Sequence, residues 1–81
     1  MRTYKIVKVD WVDSCNWRGW RDKKEAIGFT PSTCVSGGIL TKTKRGSIGV
    51  AHSISEESIG DTVVIPRKCI KGIEILTTFR I

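Results

Sequence analysis

With 81 residues the chain has room for one domain, spanning 1–81, and for a small core. It carries 14 Lys and Arg against 8 Asp and Glu, a net charge of +6 that points to anionic partners such as nucleotides, nucleic acids or acidic surfaces. Three Cys without a CxxC pair, and a single His, argue against both a disulfide scaffold and a zinc site, so free thiols, no metal and no cofactor are expected. A core this small usually needs reinforcement, and with disulfides and metal set aside a partner chain is expected to provide it, making a homo-oligomer.

The start, Met1-Arg2-Thr3-Tyr4-Lys5, is basic, but no apolar stretch of the secretory type follows it. No run is long enough to span a bilayer either. The expectation is a soluble protein of the cytoplasm, without membrane contact. Residues 3–13 read as a strand: Val7, Val9 and Trp11 alternate with Lys8 and Asp10, while Ile6 and Val12 lend some apolar character to the second face. Residues 14–33 lose this period and form a long loop. Within it 22–27 has the makings of one helical turn, with Asp22 as N-cap, Glu25 completing a capping box and Gly28 as the stop.

Strand character returns at 34–43, interrupted by Ser36-Gly37-Gly38, where glycines mark a bulge, a bend or a close approach. Lys44-Arg45-Gly46 reads as a hairpin turn. The next strand, 47–55, puts Ile48, Val50, His52 and Ile54 on one face and the small Gly49, Ala51 and Ser53 on the other. A polar loop over 55–61 leads to a short apolar strand, 62–65, ended by Pro66, which has no N–H for a ladder. Residues 66–70 suit a single helical turn, and the chain closes with a strand on which Ile73 and Ile75 share a face. The sum is a mostly all-β fold, a small, bent, five-stranded and partly open barrel.

No catalytic constellation is visible. Asp10 and Asp13, three apart on a strand, face opposite sides, and His52 stands without a partner and reads as a packing residue. The residue types that suit binding lie elsewhere. Trp11, Trp17 and Trp20 sit within ten positions, interleaved with Arg18 and Arg21. Indoles stack on nucleobases, and guanidinium groups grip phosphate through two parallel hydrogen bonds. Trp11, on a strand, also suits core packing. Lys23 and Lys24 extend the basic run as a solvated face. Ser36 and Gly37 offer backbone N–H groups and a hydroxyl to an anion, with bulge geometry as the alternative. Lys42, Lys44 and Arg45 form a basic hairpin tip suited to a phosphate backbone, or to keeping a sheet edge from aggregating.

Two resemblances add to this. Val63-Val64-Ile65-Pro66-Arg67-Lys68-Cys69-Ile70-Lys71-Gly72-Ile73 resembles the end of an Sm-like barrel, where a strand, a one-turn helix and a last strand close the structure. Trp11-Val12-Asp13-Ser14, Gly19-Trp20, Ser36-Gly37, Ile65-Pro66 and Ile70, in that order, resemble a skeleton shared by very small phage and prophage proteins. Trp17 and Gly38 are additions to it. Some small phage proteins of this type are oligomeric sponges that sequester cyclic nucleotide signals of bacterial defence systems such as CBASS. The resemblance implies an anti-defence sponge in the host bacterial cytoplasm. It would bind a cyclic nucleotide, or another phosphate-bearing small ligand, without cleaving it. Trp11, Trp17, Arg18, Trp20, Arg21, Ser36 and Gly37 would form the pocket. The alternatives are an Sm-like nucleic-acid-binding module, using Lys42, Lys44 and Arg45, and a protein-binding inhibitor with an exposed Trp patch.

Overall fold

A computed structural model describes residues 2–13, 20, 23–24 and 32–81. Five antiparallel strands form one sheet: β1 (Thr3–Asp13), β2 (Ser32–Thr41), β3 (Ser47–Ile54), β4 (Ile59–Pro66) and β5 (Ile70–Arg80). A 3-10 turn, Arg67–Cys69, joins the last two. The spatial order is β4-β3-β2-β1-β5, so among the described residues β4 and β5 are the edge strands and the sheet is not closed. The mostly all-β expectation holds, as does the helical turn after Pro66. Of the turn expected over 22–27 only Lys23 and Lys24 fall within the described residues; both are helical and exposed.

The period-two pattern of β1 defines the core. Val7 and Val9 are fully buried, and they share a cluster with Ile48 and Val50 of β3 and with Ile65 of β4. Those strands lie two and three places away in the sheet, so the sheet has to curl to bring the side chains together. Trp11, Leu40 and Ile70 pack around this cluster. Ile6 and Val12, on the outer face, are half-buried, in keeping with the mixed character of that face.

The curl has a local cause at Gly38. A Cβ there would lie 2.5 Å from the Ala51 carbonyl oxygen and 2.9 Å from Val50 Cγ1, so β2 approaches β3 more closely than any side chain allows. Around this point β2 changes partner. It pairs with β1 from Ser32 to Ile39, and with β3 only from Ile39 to Thr41. β1, in turn, stays paired to β5 as far as Thr3–Arg80 but has no β2 partner beyond Ile6–Ile39. The sheet thus divides into a β1–β5 arm and a β2–β3–β4 arm that part beyond Ile6 and Ile39.

Two strands begin earlier than the sequence reading has them, and β2 ends at Thr41 rather than 43. The polar loop ends at Ser58 rather than 61, because the Ser55 and Ser58 backbones bond (Ser55 N–H to Ser58 O, 2.8 Å) and Ser55 Oγ accepts from Ser58 N–H at 3.0 Å. That closure sets Ile59 opposite Ile54 and starts β4 early. β2 likewise begins at Ser32, which pairs with Asp13. His52, read as a packing residue, is exposed; it lies beyond the buried Ile48 and Val50, and its Nδ1 is 3.4 Å from Ser53 Oγ.

Candidate functional site: a basic cleft between the arms

Where the two arms part they leave a cleft of roughly 960 Å³. Arg2 to Lys5 line it from the β1 side, and the β2–β3 hairpin with Arg67 lines it from the other. Leu40, Ile48, Ile59 and Ile73 supply apolar wall. Ile73 pairs with Val9 and Arg80 with Thr3, six residues apart on β1, so the lining runs about 20 Å along the strand.

The hairpin tip is built by its own sequence. Ser47 N–H donates to the Lys44 carbonyl at 3.3 Å, closing a turn with Gly46 at its third position. Gly46 has φ +88°, the left-handed value that a type II turn requires there and that glycine adopts without steric cost. Ser47 Oγ bonds both the Lys44 carbonyl at 3.0 Å and Thr43 Oγ1 at 2.8 Å. The Gly46 carbonyl then accepts from Arg67 N–H at 2.9 Å, tying the turn after β4 to the tip. This bond sets Arg67 beside Lys44 and Arg45. The expected turn at Lys44-Arg45-Gly46 is present, and the turn after Pro66 serves to deliver a cation.

Among the described residues six of those that line the cleft are cationic (Arg2, Lys5, Lys42, Lys44, Arg45 and Arg67) and none is Asp or Glu. The acidic residues of the described segments lie elsewhere. Asp10 and Asp13 are at the far end of β1, Glu56 and Glu57 in the β3–β4 turn, Asp61 on β4, and Glu74 opposite Lys8. Cations gathered around one groove attract polyanions.

The structure therefore divides the expected site residues. Lys42, Lys44 and Arg45 are brought together, and Arg2, Lys5 and Arg67 join them. Those three were missed because they come from the chain start and from beyond Pro66, and only the register and the Arg67–Gly46 bond place them here. Trp11 and Ser36 also meet, but at the other end of β1. Trp11 pairs with Cys34, eight residues or about 26 Å from Thr3. The Trp11 indole N–H donates to Ser36 Oγ at 3.0 Å, and its ring packs on the core, so the pair satisfies itself. Gly37 is exposed opposite Lys8. None of these three lines the cleft. Trp20 is fully exposed. Trp17, Arg18 and Arg21 lie outside the described residues.

Cys34 and Cys69 are half-buried free thiols. Among the described residues no three His, Cys, Asp or Glu side chains gather as metal ligands, and no helix is long and apolar enough to cross a membrane. No family model, curated protein or solved structure matches the chain.

Proposed function

We propose that the protein is a non-catalytic binding module that takes the phosphates of a single-stranded nucleic acid into the basic cleft. The observation that carries this is the cleft itself: six Lys and Arg, no carboxylate among the described residues, and apolar wall between them. Single-strand binders combine a basic groove with sequence-tolerant contacts to bases. The fold supports the Sm-like reading in its strand order and in the turn between its last two strands. The test is fluorescence anisotropy with labelled single-stranded RNA and DNA of about ten nucleotides, within the 4–16 range of such sites. Binding that Lys42→Glu with Arg45→Glu abolishes is expected. Unchanged affinity in that variant removes the cleft from the mechanism.

One observation favours a second reading. The cleft volume lies within the ~300–1,000 Å³ of small-molecule sites, and Trp20 is free to stack. Sequestration of a cyclic oligonucleotide by a phage-type sponge fits these features. Native mass spectrometry of protein purified from cells making cyclic nucleotides distinguishes the two. A nucleotide mass carried and released intact supports the sponge, and a bare protein that binds oligonucleotides supports the first reading.

We also propose that the chain forms a homo-oligomer through its sheet edges. β4 and β5 each have one edge without a partner strand among the described residues, and they expose Ile59, Val63 and Val64 on one edge strand and Ile73, Ile75 and Leu76 on the other. Open edges this apolar pair with other strands unless blunted by charge or proline, and β4 carries only Asp61 before its terminal Pro66. β4 of one copy against β5 of the next satisfies both edges. Light scattering should show an oligomer that Val63→Lys with Leu76→Lys converts to a folded monomer; a monomeric wild type ends this proposal.

A further inference from the structure

Cations alone recognise any polyanion, whereas a nucleic-acid binder also touches bases. The described aromatic rings do not provide that contact inside the cleft. Trp11 and Trp20 do not line it, and the Tyr4 ring stacks on Phe79 on the Ile6 face of the β1–β5 ladder, opposite the face of Leu40, Ile48 and Ile73. What the gap between the arms does offer is main chain. Thr3, Tyr4 and Lys5 pair with β5 and have no partner on their β2 side. Leu40 and Thr41 pair with β3 and have no partner on their β1 side. All five residues line the cleft, and no other described backbone group bonds to them. In an antiparallel strand each residue turns its N–H and C=O to the same side, and successive residues turn them to opposite sides. Each of the two edges therefore directs at least one N–H and C=O pair into the gap.

We propose that these two main-chain edges read the Watson–Crick edges of bases, which are open only in unpaired nucleotides. This rests on the cleft being the ligand site. An unpaired strand edge is a row of donors and acceptors that seeks a complement. A donor beside an acceptor on the strand matches an acceptor beside a donor on a base: N1 and N6–H of adenine, N3 and N4–H of cytosine, O4 and N3–H of uracil. Leu40, Ile48 and Ile73 give the base ring an apolar wall. Arg2 and Lys42, next in sequence to the two edges, supply charge for the neighbouring phosphates.

Three probes test this on the wild-type protein: an oligouridylate of about ten nucleotides, the same chain built from N3-methyluridine, and a polyglutamate of about ten residues. The two nucleotide chains carry the same phosphates and rings, but the methyl group blocks the Watson–Crick edge. One hydrogen-bonded base on each strand edge should make the oligouridylate bind about 5- to 140-fold more tightly than its methylated counterpart. Amide hydrogen exchange followed residue by residue gives a second readout. Oligouridylate should slow exchange at amides within Thr3–Lys5 and Leu40–Thr41, and the methylated chain and polyglutamate should not. Equal affinity for the two nucleotide chains, or no slowing at these amides, overturns the base-reading role while leaving the cleft in place. Equal slowing by polyglutamate also overturns it, since the edges would then be taking an acidic peptide strand. Failure of both nucleotide chains to bind overturns the cleft reading itself.

Discussion

The cleft makes a prediction that separates local from overall charge. Binding of a single strand releases counterions, and log K falls against log salt with a slope of about −0.7 per phosphate neutralised. If all six cleft cations engage phosphates the slope is about −4.2, and affinity drops roughly 300-fold between 50 and 200 mM salt. Lys42→Ala with Arg67→Ala leaves four, so the slope should fall to about −2.8 and the same salt step should cost only about 50-fold. The Arg67 substitution spares the architecture, because the bond to Gly46 uses the Arg67 backbone N–H.

The control is Lys68→Ala with Lys71→Ala. Both lysines are exposed and off the cleft, yet their removal lowers the net charge from +6 to +4 as the cleft pair does (6 − 2 = 4). The assay is an anisotropy titration of all three proteins at four or five salt concentrations. The cleft pair should change the slope and the control pair should not. Equal changes would refute the reasoning, since binding would then follow net charge and not the groove. A wild-type slope near zero would refute it more broadly.

Three further experiments test the frame that holds the site. Gly38→Ala forces a Cβ against the Ala51 carbonyl and should cost about 1–3 kcal/mol, lowering Tm by roughly 4–8 °C per kcal/mol, whereas Gly37→Ala, 3.8 Å from the Val7 oxygen, should be tolerated in the same melt. Gly46→Ala places a side chain at φ +88° and should lose about 1 kcal/mol in denaturant unfolding, along with oligonucleotide affinity as the tip rearranges. Trp11→Phe and Ser36→Ala, measured singly and together, should show a coupling of about 0.5–1.5 kcal/mol in stability and none in binding. Loss of binding at full stability would return this pair to the ligand site.

Much of the fold could be read from the sequence because it follows from period and punctuation. Val7, Val9 and Trp11 announce an inward face, Pro66 ends a strand wherever it stands, and Lys44-Arg45-Gly46 has the turn chemistry a hairpin needs. The start of β4 was less legible. Glu56, Glu57, Gly60 and Asp61 look like loop, and the closure between Ser55 and Ser58 that makes a strand of Ile59–Asp61 is a local geometry with no compositional mark. The role of Gly38 was half legible, since a glycine within a strand signals a bend but does not say which neighbour it meets. His52 shows the reverse error: a correct face does not imply burial when the residue lies past the end of the packed layer.

The site was legible only in part for a related reason. Clustering along the sequence pointed to the tryptophan and arginine run, and one of its members, Trp11, spends its polar handle on Ser36. Clustering in space joins three segments that share no pattern: the chain start, the hairpin tip, and the residue after Pro66. Two features bring them together. β2 leaves β1 near Gly38, which opens the gap, and one backbone bond between Arg67 and Gly46 closes its far side. A glycine and a peptide carbonyl thus gather the charge, and neither bears any. For this reason the stability and binding experiments belong together. A substitution that closes the gap or frees the tip should weaken anion binding without touching a single cation, and net charge alone gives no account of such a result.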